Sequence, residues 1–242
     1  MENRPEKSIQ VAQLRRQITR LEQGRPCGDE APIPSGCGPL DRLLPERGFR
    51  RGTLTEWLAD GAGSGVETLA LGAAAAACRD GRALVVLDRR GEFYPPAAAR
   101  LGIELQNLIV VYAAGKADHA WALDQALRCP GVAAVLAWPE ELDGRSFRRL
   151  QLAVEESDGL GLLIRPSAAR HEPSWADVRL LVEPLPAVPE GNGRRQLRIH
   201  LLRCRGGIDG RSVDVEIDDE TRTVHLAPRL AAATAHRRTA GA

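Results

Sequence analysis

Residues 60–69 decide the fold of this chain, and they read Asp60-Gly61-Ala62-Gly63-Ser64-Gly65-Val66-Glu67-Thr68-Leu69. The apolar segment 54–59 precedes this stretch, and the Ala- and Leu-rich segment 69–78 follows it. A glycine-rich loop between a buried strand and a helix is the setting in which a phosphate-binding loop cradles phosphates with its backbone N–H groups. The stretch therefore predicts an α/β fold built around such a loop.

The residue types within this loop do not suit phosphate binding. The motif needs a Lys directly before its Ser or Thr, because the Lys contacts the outer phosphates. With Gly65 as the final glycine, Val66 takes the Lys position and Glu67 the hydroxyl position; with Thr68 as the hydroxyl, Glu67 takes the Lys position. A carboxylate about 4 Å from a phosphate charge is repelled by roughly 4 kcal/mol at an effective dielectric near 20.

We therefore expect a degenerate loop that is structural rather than catalytic, with an unrelated glycine-rich turn as the alternative. The loop comprises Gly61, Ala62, Gly63, Ser64, Gly65, Val66, Glu67 and Thr68.

Composition excludes several classes of protein. Of the 242 residues 43% are hydrophobic but only 4% are aromatic, so the core must be built from Ala, Leu and Val. The formal net charge of +1 creates no global field toward nucleic acid. The five cysteines are widely spaced and form no C-x-x-C pair, which predicts free thiols and no metal site. Without a long apolar run or a signal-peptide core, we expect a cytoplasmic protein that does not enter a membrane.

The order of elements predicts three parts. Residues 1–32 form an amphipathic helix, over 7–23, and a linker; residues 33–227 form the core; residues 228–242 form a disordered tail. The apolar stripe of the helix either folds back on the core or docks on a partner. Within the core, helices alternate with buried strands, which predicts a mainly parallel sheet, and β-prone segments after 184–186 predict an antiparallel extension.

Three segments resemble the RecA recombinase core in sequence and in order. They are SGCGPLDRLL at 35–44, RGTLTEWLADGAGSGVETLAL at 51–71 and ALVVLDRRGEFYPPAAARLGIELQNLIVVYA at 83–113. Within that superfamily the chain is similar to the ImuA family, RecA-like accessory proteins of the bacterial SOS mutagenesis cassette. LLRCRGG at 201–207 resembles that family's late hairpin. The resemblance spans about 33–227 and implies a three-layer RecA-like fold.

The resemblance also locates the positions that a recombinase uses for ATP hydrolysis. The helper Glu falls at Arg90, and Asp88 takes the place of the strand-end acid just before it. The acid linked to Mg²⁺ is missing near 137–138, and Glu140 follows too late. Because phosphoryl transfer depends on positioning and charge stabilisation, the resemblance implies a pseudo-ATPase with no catalytic residue, no bound metal and weak or absent ATP binding.

Four residues are candidate contacts to DNA or to a protein partner. They are Arg148, Arg149, Arg170 and Trp175, because arginines beside an aromatic ring can grip a phosphate backbone and stack on a base. The alternative is an ordinary solvated helix face and a loop that covers the sheet edge.

The resemblance implies a non-catalytic adaptor in error-prone translesion DNA synthesis. Its implied partners are an ImuB-type pseudo-polymerase, an error-prone DNA polymerase and the RecA filament, with self-association as a further expectation. Two alternatives stay open. One is a DNA-dependent ATPase in which Arg89 or Arg90 replaces the Lys and Glu140 or Glu141 holds Mg²⁺. The other is a SulA-like cell-division inhibitor.

Overall fold

The computed structural model describes residues 31–61, 63–113, 115–186, 194–218 and 224–227. The helix predicted over 7–23 and the tail predicted over 228–242 lie outside the described residues, as does Ala62 of the loop.

Strands and helices alternate through the core, as the hydrophobic pattern predicts. The strands are β1 (Thr53–Ala59), β2 (Ala83–Leu87), β3 (Leu108–Val111), β4 (Val132–Ala137), β5 (Leu160–Pro166), β6 (Val178–Pro184), β7 (Arg194–Cys204), β8 (Arg211–Asp218) and β9 (Val224–Leu226). The helices are α1 (Gly38–Asp41), α2 (Val66–Ala77), α3 (Pro95–Arg100), α4 (Lys116–Arg128) and α5 (Gly144–Ser157). Short 3₁₀ turns span Cys78–Asp80, Leu105–Asn107 and Ser167–His171.

The described strands form one sheet in the order β3-β2-β4-β5-β1-β6-β7-β8-β9. All pairs from β3 to β6 are parallel, and the pairs β6–β7, β7–β8 and β8–β9 are antiparallel. The predicted mainly parallel sheet with a C-terminal antiparallel extension is therefore confirmed, and the arrangement is consistent with a RecA-like fold.

Both faces of the parallel part are covered, which explains why its strands are largely apolar. On one face, α2 packs Leu69 and Ala70 against strand residues such as Val86. On the other face, Leu123 of α4 and Phe147 of α5 pack against residues such as Leu163. These layers supply the three-layer architecture.

Glu56 interrupts the apolar pattern in the middle of β1, and its side chain is fully buried. Arg165 of β5 donates to Glu56 Oε1 at 2.9 Å, and the Nε of Arg179 in β6 lies 2.6 Å from Glu56 Oε2. The two arginines continue into the following segment. Arg165 bonds Glu172 at 2.6 Å, and Arg179 donates to the carbonyl oxygens of residues 169 and 170. The buried charges thereby fasten the 3₁₀ turn Ser167–His171 to the sheet.

We predict that Glu56→Ala lowers the free energy of unfolding by about 3–5 kcal/mol, because it removes the buried carboxylate that two largely buried guanidinium groups share. Urea unfolding monitored by circular dichroism measures the change. Glu156→Ala is the matched control, because Glu156 pairs with Arg128 at the surface and surface pairs contribute little. Equal stability of the two variants would contradict this account of the buried cluster.

Candidate functional site

The carboxyl ends of β1, β2, β4 and β5 surround a cleft of about 640 Å³. Crevices at the carboxyl ends of parallel strands are where α/β proteins bind ligands. The described residues of the predicted loop line one wall of the cleft, Phe93 and Tyr94 line another, and Trp138 stands at the end of β4. Arg195 reaches the same cleft from β7. The cleft therefore occupies the place of a nucleotide site.

Gly65 is the turning point of the loop, and α2 begins at the next residue. Its φ of 74° lies in the left-handed region that favours glycine. A Cβ atom built here would lie 2.5 Å from Leu197 Cδ1 and 3.5 Å from Ile217 Cδ1. The antiparallel extension thus packs apolar side chains directly against the loop, which requires glycine at this position for both conformation and space.

Glu67 lies in the first turn of α2, where the resemblance places the hydroxyl of a phosphate-binding loop. Its Oε1 accepts a hydrogen bond from Trp138 Nε1 at 3.3 Å. Trp138 follows β4 at the position where the Mg²⁺-linked acid was expected. A carboxylate near a helix N-terminus also interacts favourably with the helix dipole, by about 0.3–1 kcal/mol. This hydrogen bond therefore links the two positions at which, by the resemblance, a working ATPase would hold the phosphates and the metal ion.

Asp88 follows β2 and fastens the loop that leads to α3. Its Oδ1 accepts the backbone N–H groups of Arg90 and Gly91 at 3.1 and 2.9 Å, and its Oδ2 accepts that of Phe93 at 2.8 Å. Burial by itself would raise the pKa of this carboxyl, but the backbone N–H donors outweigh it and hold the pKa below its ordinary value. Both oxygens are therefore engaged by the chain itself.

The two arginines that could replace the missing Lys share one carboxylate. Arg89 and Arg90 lie 3.2 and 3.6 Å from the two oxygens of Glu140. Chiefly through the charge of Arg89, the pKa of Glu140 is lowered. Arg90, at the position of the helper Glu, carries the opposite charge to the residue that it replaces. Arg89 and Arg90 are therefore both paired with Glu140, which lines the same cleft.

The four residues predicted to contact DNA or a partner do not form a single surface. The guanidinium of Arg148 lies 5.3 Å from the ring centre of Trp175, which is 45% exposed. Arg149 points to the other side of α5, where its Nε lies 3.3 Å from Asp124. Arg170 donates to His171 within the 3₁₀ turn. The structure thus joins Arg148 to Trp175 and gives Arg149 and Arg170 other partners.

Within the described ranges, no group of three or more His, Cys, Asp or Glu side chains could hold a metal ion. Of the helices described above, none is long and apolar enough to cross a membrane.

Comparison with known proteins adds an independent finding. The chain is 35% identical over 145 residues to Protein ImuA of Caulobacter vibrioides strain NA1000 / CB15N, and equally to Protein ImuA of strain ATCC 19089 / CIP 103742 / CB 15. The chain is similar to ImuA. The match covers 54% of the chain and 59% of the length of each ImuA protein. No family model matches the chain. The predicted resemblance to the ImuA family is confirmed.

Sequence reasoning missed several residues of this region. It gave no sign that Arg165, near the end of β5, is buried against Glu56. It overlooked Arg195, because a cleft residue from a distant hairpin leaves no local signal. Glu56 could have been found, since a lone acid inside the apolar run 54–59 requires a buried partner.

We predict that Asp88→Ala lowers the free energy of unfolding near neutral pH by about 2 kcal/mol, because backbone donors lose a charged acceptor. A carboxyl with a lowered folded-state pKa stabilises the fold above its unfolded-state pKa of about 4, and that stabilisation is lost as the pH falls through the folded value. The difference between wild type and variant should therefore shrink at acid pH in denaturant titrations. A difference that is constant with pH would contradict this role.

Proposed function

We propose that the chain is a non-catalytic RecA-like adaptor in bacterial DNA-damage tolerance. Its similarity to ImuA supports a role in this pathway. The charged side chains of the cleft bond to partners within the chain, which supports the absence of catalysis. The observation that carries the proposal is the Glu67–Trp138 contact, because it joins the two positions from which a working site would hold phosphate and metal.

The electrostatics of the cleft argue against a triphosphate ligand. Val66, at the Lys position, is buried in the core and offers no charge. Glu67 places a negative charge at the start of α2, where phosphates would have to bind. A nucleotide would also have to compete with Glu140 for Arg89 and Arg90.

The alternative of a rearranged ATPase requires Glu140 to hold Mg²⁺ while Arg89 or Arg90 holds phosphate. In the described structure Glu140 forms ion pairs with both arginines. These ion pairs would have to break before Glu140 could hold Mg²⁺ or an arginine could hold phosphate. Loop 139–142 also lies beyond the end of β4 rather than at it. The adaptor is therefore the function that the geometry favours.

From the similarity to ImuA we propose three partners for the adaptor: an ImuB-type pseudo-polymerase, an error-prone DNA polymerase and RecA. Co-purification of the full chain from damaged and undamaged cells tests them. Reproducible recovery of a translesion polymerase supports the proposal, and its reproducible absence contradicts it.

For direct DNA contact, the ring of Trp175 under Arg148 is the favoured surface. An exposed aromatic beside an arginine is the combination that holds single-stranded nucleic acid, by stacking and by phosphate attraction.

We predict that the chain shows no saturable heat when ATP is titrated with Mg²⁺ in a calorimeter, with or without single-stranded DNA, because the loop lacks a cation and carries Glu67. The same titration of RecA serves as the positive control. Saturable binding accompanied by turnover would overturn the pseudo-ATPase.

We further predict that Trp175→Ala weakens binding of a labelled single-stranded oligonucleotide by about 5- to 150-fold in fluorescence anisotropy, since stacking on one base contributes about 1–3 kcal/mol. Trp121→Ala is the matched control, because Trp121 is an exposed tryptophan on α4. Equal effects of the two substitutions, or no binding by wild type, would remove Trp175 as a DNA contact.

A further inference from the structure

A second, smaller cavity lies between the first halves of α4 and α5, beside the loop that follows β4. Its volume is about 100 Å³. His119 and Lys116 of α4 line it, together with Ser146 and Arg149 of α5. Arg89, Glu140 and Glu141 complete its polar lining, and Leu123 and Leu150 contribute apolar side chains. Arg89 and Glu140 also line the nucleotide cleft, so the two spaces are neighbours.

His119 is the unusual member of this lining. The residue is only 6% exposed, yet both of its ring nitrogens are buried without a hydrogen-bond partner in the described part of the chain. Buried polar atoms in proteins are nearly always paired, because an unpaired one costs about 1–3 kcal/mol. A side chain of this kind at the wall of an open cavity points to a ligand that supplies the missing partner.

The charges around the cavity favour an anion. Three cations line the cavity, and each has a carboxylate partner: Arg89 pairs with Glu140, Lys116 with Glu141, and Arg149 with Asp124, which lies outside the lining. If Arg149 turns toward the cavity, Asp124 keeps its bond to Arg128 through Oδ2 at 3.0 Å, and its Oδ1 loses the contact with Arg149. Ser146 adds a hydroxyl donor.

The size of the cavity limits the ligand. A volume of about 100 Å³ is smaller than the roughly 150 Å³ of a protein cavity that holds one benzene molecule. That is enough for one tetrahedral oxyanion and too little for a nucleoside. We propose that this cavity is a phosphate-binding site, in which His119, Ser146 and Arg149 hold the oxygens of a single phosphate group.

The protonation of His119 should respond to such a ligand. Burial, followed by the charge of Arg89, lowers the pKa of His119 in the described structure, although Glu140 opposes the shift. A neutral imidazole offers one donor, whereas the imidazolium offers two. A bound phosphate favours the charged ring, so it should raise the pKa of His119, and binding should strengthen as the pH falls.

Nuclear magnetic resonance of the histidine rings in the full chain, during titration with inorganic phosphate, tests this site. We expect a saturable shift of the His119 resonances and a raised pKa, while His171, which bonds Arg170 outside the cavity, serves as the internal reference. Arg149→Gln should weaken the binding several-fold. Arg145→Gln, on the same helix but outside the lining, should not.

Thermal unfolding gives a second readout. Phosphate should raise the melting temperature of wild type in proportion to its occupancy, and His119→Phe should abolish that effect. An oligonucleotide that reproduces the His119 shift and competes with inorganic phosphate would identify the phosphate source as a nucleic-acid backbone. A shift produced by inorganic phosphate alone would identify a free ion.

The site is overturned if the His119 resonances do not move. It is also overturned if they move without saturation, in step with His171 and equally in Arg149→Gln, because that pattern reports ionic strength alone. Co-purification of partner proteins and turnover of ATP do not depend on this cavity, so failure here and failure of the proposed adaptor function are distinguishable.

Discussion

A negative charge at the start of α2 is the constraint on which the rest of this structure depends. A helix N-terminus that follows a glycine-rich loop presents backbone N–H groups and a partial positive charge, and in a nucleotide-binding protein the ligand's phosphates neutralise them. Here Glu67 supplies that negative charge from within the chain, and Trp138 holds its side chain. The loop keeps its shape because Leu197 and Ile217 pack against Gly65, so the fold does not need a nucleotide to support it.

The other charged side chains of the cleft are also bonded to groups within the chain. Asp88 accepts three backbone N–H groups, and Glu140 lies between Arg89 and Arg90. At the end of β5, Arg165 is held between Glu56 and Glu172. A residue in two ion pairs, one of them fully buried, is poorly suited to report the state of a ligand, because any movement would expose an uncompensated charge to an apolar interior. These contacts favour a rigid scaffold whose functions lie at its surface.

Much of the fold could be predicted from the sequence, because the local pattern of each segment agrees with the element that it forms. Apolar runs such as 83–87 and 132–137 are typical of strands buried on both faces, and the glycines of 61–65 mark the loop between β1 and α2. The identity of Glu67 likewise predicts a degenerate loop. Its contact with Trp138 could not be predicted, since it joins residues 71 positions apart whose proximity follows only from the sheet order.

The sequence also could not distinguish among its many arginines. Arg165 and Arg179 are buried ion-pair partners, Arg148 covers a tryptophan, and Arg149 lines a cavity. Their neighbours in three dimensions, rather than their local sequence, decide these roles. His119 illustrates the same limit, because its isolation inside the wall of a cavity depends on helices α4 and α5 packing together.

A crystal structure of the protein soaked with Mg²⁺ and a non-hydrolysable ATP analogue tests the central claim most directly. The account predicts that Glu67 still accepts its hydrogen bond from Trp138 and that the cleft at the carboxyl ends of β1, β2 and β4 contains no ordered triphosphate. A triphosphate bound along loop 61–68, with Glu67 turned away and Mg²⁺ coordinated beside it, would contradict the account.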